Sequence, residues 1–210
     1  MKPLLVSDCD EVLVDFLAPF TAHLDEAHDM ILKLDSFALS GNIRRRADES
    51  VVADGDVPGL LDDFFVTGMH RQVAAPGAAA ALAALSERYD IVILTNIEAR
   101  FQADRRAQLK TLGMDYEVFT NRGPKGPALK KLLAEHGDPA AVFIDDLPPH
   151  HSSVKAEVPH VHRIHMVGDA TLRDMLPPAA DAHARIDDWA DARAYLERLL
   201  DDEALAKGAA

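Results

Sequence analysis

Five short apolar runs punctuate the chain: Leu4 to Val6, Asp90 to Leu94, Tyr116 to Phe119, Ala140 to Ile144 and Val161 to Val167. Each has strand length and a mostly apolar make-up, resembling buried strands. Between them lie stretches with helical spacing. Leu82 and Leu85 stand among alanines, Phe101 to Leu112 follows the second run, and Leu129, Leu132 and Leu133 precede the fourth. Strands alternating with helices predict βαβ units and one parallel sheet. Pro76-Gly77 opens the first of these helices, and Gly113 and Gly137 fall where C-terminal caps belong.

The segment from Phe16 to Gln72 breaks this rhythm. Leu17, Phe20, Leu24, His28, Ile31 and Leu32 have helical spacing, Ser40 to Asp56 is polar and irregular, and a second apolar helix is expected from Leu60 to Met69. This predicts a small, mainly helical cap over 16–72, inserted after the first strand. The α/β core then comprises 1–15 and 73–210. Asp187 to Leu200 reads as an amphipathic helix followed by a frayed Ala-rich tail.

Composition narrows the function classes. With 210 residues and 48% hydrophobic content, the chain can bury a sizeable core. A net charge of −13 argues against a nucleic-acid polymer as partner, because no basic face is available to release counterions. Cys9 is the single cysteine, so no intrachain disulfide can form. No stretch approaches the ~18 apolar residues of a membrane span. A cytoplasmic protein is the expectation, and a homodimer is compatible with it.

The chemistry gathers at the strand ends. The first run stops at Asp8-Cys9-Asp10, the second at Thr95-Asn96, and the fourth at Asp145-Asp146; Lys125 follows the third, in Gly123-Pro124-Lys125-Gly126-Pro127. Side chains alternate along a strand, so Asp8 and Asp10 share one face and repel unless a cation lies between them. In a parallel sheet all four ends lie on one edge, where open α/β sheets build their sites. Carboxylates, a hydroxyl and an ammonium would converge there. This donor set suits a Mg²⁺-dependent phosphoryl-transfer site, with hard oxygen ligands and positive charge for the transferred group.

In these motifs, in this order, the chain resembles the haloacid dehalogenase-like (HAD) hydrolase superfamily. The resemblance spans nearly the whole chain and implies a Rossmann-like three-layer fold. A weaker likeness to 5'(3')-deoxyribonucleotidases rests on Asp15-Phe16, Ile144-Asp145-Asp146 and Asp187-Asp188-Trp189. The superfamily likeness implies that Asp8 attacks phosphorus and that Asp10 is the general acid and base. Thr95 and the Asn96 N–H would bind phosphoryl oxygens, and Lys125 would neutralise them. Mg²⁺ would be held by Asp8, the Asp10 carbonyl and Asp145, with Asp146 a further ligand or an orienter of the others, and the substrate would be a small phosphorylated metabolite such as a nucleotide. Phosphomutase chemistry, or phosphate binding without turnover, would use the same site.

Plainer roles compete for several of these residues. Thr95 could cap a helix, Lys130 or Lys131 could replace Lys125, and Asp146 could serve a helix start. Glu11 stands where the family carries glycine, adding charge and bulk near the phosphate; it either weakens anion binding or contacts substrate. Arg44-Arg45-Arg46 is a solvated cap loop, or Arg45 reaches the substrate anion. Phe16, Phe20, Phe37, Phe64 and Phe65 are expected to pack rather than stack on a base. His160 and His162 share a strand face on what reads as the outer strand, with a transition-metal site as the sharper alternative to a plain strand face, and His150-His151 read as a turn, or as flanking the cleft. Cys9 faces away from the site as a buried filler.

Overall fold

The computed structural model describes residues 2–36 and 38–202. Phe37 and the Ala-rich tail from residue 203 onward lie outside the described residues. Six parallel strands form the central sheet: β1 (Leu4–Ser7), β4 (Asp90–Thr95), β5 (Glu117–Thr120), β6 (Ala141–Asp145), β7 (His162–His165) and β8 (Ala184–Arg185). Their order is β5-β4-β1-β6-β7-β8. The chain moves outward from β1 in both directions, which makes the C-terminal end of β1 the switch point where such sheets open a crevice.

Strand alternation divides the core into two layers. Leu5, Ile91, Ile93, Val142 and Ile144 face one way, against α3 (Ala78–Leu85), α4 (Gln102–Thr111) and α8 (Trp189–Asp201). Leu4, Val6, Val92, Leu94 and Phe143 face the other, against α5 (Lys125–Glu135) and α6 (Pro148–Glu157). Burying each such side chain contributes about 1.5–3 kcal/mol. Trp189 fastens α8 to the loop after β1 by donating its indole N–H to the Val12 carbonyl at 2.8 Å. Asp188 caps the same helix by accepting from the Asp191 N–H at 2.8 Å.

The segment between β1 and α3 has its own apolar cluster, including Phe20, Leu24, Ile43, Val57 and Phe64. Its helices are α1 (Leu17–His28) and α2 (Val57–Thr67). The helical spacing that ran on to Leu32 misleads: Asp29 adopts left-handed geometry (φ 51°) and ends α1. Ile31 and Leu32 instead belong to β2 (Met30–Leu32), which pairs antiparallel with β3 (Ile43–Arg45) inside the stretch that reads as irregular. Two histidines of α1 meet one carboxylate of α2. His23 and His28 approach the same oxygen of Asp63 through Nε2, at 3.0 and 2.9 Å.

Three further corrections concern the core. His150 and His151 lie on helix α6, not in a turn. β7 is shorter than the Val161 to Val167 run and is not the edge of the sheet, because β8 pairs outside it. A short helix, α7 (Ala170–Met175), follows β7, capped by Asp169 accepting from the Thr171 and Leu172 N–H groups. No described helix is long and apolar enough to cross a membrane.

Candidate active site

Asp8, Asp10, Thr95 and Asp145 lie at or just beyond the C-terminal ends of strands, and Lys125 stands at the start of the helix after β5. The Asp8 N–H donates to Ile144 O at 2.8 Å, so the first acidic motif continues the β1–β6 ladder. Asp145 ends β6, Thr95 ends β4, and Lys125 begins α5. The start of α5 is set by close packing on α6. A Cβ on Gly126 would fall 2.2 Å from Ser153 O, and the Gly126 N–H donates to Ser153 Oγ at 2.9 Å. Only glycine allows this approach, and it delivers the neighbouring Lys125 into the site.

Lys125 is fully buried. Its ammonium lies 2.6 Å from Asp8 Oδ1 and 2.6 Å from Asp145 Oδ2. Burial pushes the Lys125 pKa down, but Asp145 and Asp8 outweigh it and the net shift is upward. Asp8 Oδ1 also accepts from the Cys9 N–H at 2.7 Å. One oxygen of Asp8 is thereby pinned, while Oδ2 has no hydrogen-bond partner among the described residues.

Asp8, Asp145 and Asp146 each offer a carboxylate oxygen, all within 4.8 Å of one another. Burial, opposed by Lys125 and reinforced by Asp145, raises Asp8 to about 7. Burial, then Asp145 and Asp8, raises Asp146 well above the ordinary carboxylate range. For Asp145 the neighbouring cation wins over burial and the shift is downward. Three crowded, buried carboxylates facing a single ammonium leave negative charge unbalanced. Such a donor set fits a hard divalent cation of the Mg²⁺ kind.

Asp10 stands apart from this trio. Arg105 of α4 donates to both its oxygens, at 3.0 and 3.2 Å, and Gln72 donates to Oδ1 at 2.7 Å. The Thr95 hydroxyl reaches Asp10 Oδ2 at 3.5 Å. Sequence reasoning misses Arg105 and Gln72. Arg105 looks like a solvated helix residue among Gln102, Asp104 and Arg106, yet it is fully buried. Gln72 also donates to Asp15 O at 2.7 Å, and Asp15 accepts from the Val73 N–H at 2.6 Å. The two chain segments that flank the stretch holding α1 and α2 are thus joined beside Asp10.

Glu11 has left-handed backbone geometry (φ 60°), the conformation that glycine adopts most readily. Its carboxylate accepts from the Phe16 and Leu17 N–H groups at 2.8 and 2.6 Å, satisfying orphan donors at the start of α1. The side chain that replaces glycine therefore caps a helix. Asn96 lines the cleft and braces loops, donating to Gly123 O at 2.9 Å and accepting from Asn121 at 2.8 Å.

Other expected participants stand elsewhere. Arg45 lies exposed on β3 and does not line the cleft; Arg44 pairs with Asp35 at 3.8 Å, and Arg46 with Asp25 and Asp29. His160 is exposed before β7, while His162 approaches the Tyr195 hydroxyl at 3.0 Å and stacks on His183, so the two form no shared site. His165 contacts the Asp146 carbonyl at 2.8 Å and His151 the Asp145 carbonyl at 3.0 Å, both from behind the acidic loop. Cys9 is buried in the apolar layer opposite, as alternation requires.

The chain superimposes over nearly its full length on solved structures of one superfamily. The HAD hydrolase YfnB from Bacillus subtilis, bound to magnesium, matches with a TM-score of 0.67 and 16% identity, covering 93% of this chain and 98% of that one. This is the haloacid dehalogenase fold. A protein from Thermotoga maritima named as a β-phosphoglucomutase shares the HAD fold at TM-score 0.66 and 14% identity, covering 94% and 99%. A predicted phosphoglycolate phosphatase from Haemophilus somnus 129PT matches at 0.63 and 15%, covering 93% and 98%. No protein-family model and no curated protein matches the chain. Of the features behind the nucleotidase likeness, Asp15 joins the segment before α1 to that before α3, Asp188 caps α8, and Trp189 anchors it.

Proposed function

We propose that this protein is a Mg²⁺-dependent phosphomonoester hydrolase that works through an aspartyl-phosphate on Asp8. The observation that carries the reading is the asymmetric restraint of Asp8, whose Oδ1 is held by Lys125 and the Cys9 N–H. A carboxylate held by one oxygen presents the other as a nucleophile of fixed direction. Asp8, Asp145 and Asp146, with the Asp10 carbonyl, would hold the cation, which supplies positive charge to the phosphoryl oxygens.

The chain's own residues account for each proton and bond. Asp8 Oδ2 forms a bond to phosphorus as the bond from phosphorus to the alcohol oxygen breaks, and that oxygen takes a proton from Asp10. Asp10 then accepts a proton from water, whose oxygen attacks phosphorus, releasing phosphate and restoring Asp8. Arg105 and Gln72 orient Asp10 for both transfers. Lys125 neutralises phosphoryl charge, and Thr95 and the Asn96 N–H bind phosphoryl oxygens. Glu11, committed to the start of α1, supports the α1 end of the cleft.

The test is phosphate release from 4-nitrophenyl phosphate with and without Mg²⁺, in the wild type and Asp8→Asn. Mg²⁺-dependent release that the substitution abolishes is expected. Equal release by Asp8→Asn would overturn the reading.

A further inference from the structure

The cleft above Asp8 is apolar where the leaving alcohol must sit. From the cap come Phe16, Leu61 and Phe65, and from the core Leu147, Leu172 and Leu176. The polar end is acidic, with Asp8, Asp10, Glu11 and Asp146 on the same cavity. Asn96 and His150 are the remaining polar side chains that line it. Among the described residues, no lysine or arginine lines this space. Lys125 does not line it and sits below, against Asp8 and Asp145 on the phosphoryl side, and Arg44, Arg45 and Arg46 do not line it either.

We propose that the substrate is the phosphate monoester of a compact, uncharged and largely apolar alcohol. This rests on the phosphatase reading above and specifies its substrate. Two physical arguments support it. A second anionic group on the substrate would lose water against leucine and phenylalanine side chains with no cation to receive it. It would also face carboxylates already crowded at the polar end. Size points the same way: the cavity is about 250 Å³, below the ~300–1,000 Å³ that holds a drug-sized ligand. One ring or a short chain fits such a space beside the phosphoryl group. The charged alcohol of a phosphoglycolate and the bulk of a mononucleotide both conflict with it.

The experiment compares kcat/KM for benzyl phosphate, phosphoglycolate and a deoxynucleoside 5'-monophosphate under saturating Mg²⁺. Benzyl phosphate and phosphoglycolate both release primary alcohols, so the ratio reads the pocket. Benzyl phosphate should be favoured about tenfold or more. Leu61→Arg, which puts a guanidinium on the alcohol wall, should shrink that ratio about tenfold through the KM of phosphoglycolate. Leu61→Ala gives a second readout that introduces no charge and should raise KM for benzyl phosphate alone. Equal or better turnover of phosphoglycolate or the nucleotide would overturn the proposal and leave the phosphatase reading intact. Absence of turnover on all three, together with Mg²⁺-independence on 4-nitrophenyl phosphate, would remove both.

Discussion

The guanidinium of Arg105 lies 3.0 and 3.2 Å from the two carboxylate oxygens of Asp10, 95 residues earlier in the chain. Fork-like pairing of this kind fixes the plane of a carboxylate as well as its position. Asp10 is therefore aimed by a helix that never contributes to the motif itself.

Arg105→Met should lower kcat about 100-fold with little change in KM, because an acid–base group positioned by its neighbour contributes roughly that much. Arg105→Lys should recover only part of the loss, since an ammonium cannot grip both oxygens. Steady-state kinetics of the two variants checks this. A KM effect of equal size would assign Arg105 to substrate binding instead.

Removing the cation should cost stability, because three carboxylates then repel in a buried site. Saturating Mg²⁺ at about 100 times its Kd should stabilise the wild type by about 2.7 kcal/mol. Asp146→Asn should weaken that response, and thermal unfolding with and without Mg²⁺ measures it. Equal responses in both proteins would remove Asp146 from the ligand set.

Gly126→Ala should destabilise by about 1–3 kcal/mol through overpacking, because the added methyl meets Ser153 O at 2.2 Å. Shifting α5 away from α6 also draws Lys125 from Asp8, so activity should fall together with the urea midpoint.

At Glu11, two substitutions should separate backbone from side chain. Glu11→Ala loses the helix cap, costing about 1 kcal/mol, and keeps the left-handed strain that Glu11 already carries (φ 60°). Glu11→Gly loses only the cap and relaxes the backbone. The alanine variant should therefore melt below the glycine variant.

Acid sensitivity should follow His162. Burial, then stacking His183 and nearby Arg163, pushes it from 6.5 to about 4. The unfolded state consequently binds the proton first, so stability is lost as pH falls from 6.5 toward 4 and is complete above that window. The partial exposure of the ring limits the effect to about 1 kcal/mol. His162→Gln should flatten the difference between urea midpoints measured at about pH 7 and about pH 5.

The sequence by itself determined the parallel sheet and the acidic edge. Continuous apolar runs such as Ile91 to Leu94 can be buried only between two layers, and the runs of β1, β4 and β6 lead directly into Asp8, Thr95 and Asp145. Alternation alone turned Cys9 toward the core and Asp8 toward the cleft. Two smaller features escaped it for local reasons. The β2–β3 ribbon is three residues per strand, too short for a period to show, and α1 ends through the left-handed Asp29 rather than a glycine. Tertiary structure alone decided the rest of the site. Arg105 is polar on a polar helix, and only docking of α4 beside Asp10 and the Gln72 segment buries it there. Arg45 carries the charge expected of a phosphate ligand, but β3 leaves it exposed, away from the cleft. Glu11 looked like an intruder near the phosphate, and it became a helix cap because α1 begins within reach of its carboxylate. A residue's chemistry is written in its side chain; its partner is set by contacts between segments far apart in sequence, which no local pattern encodes.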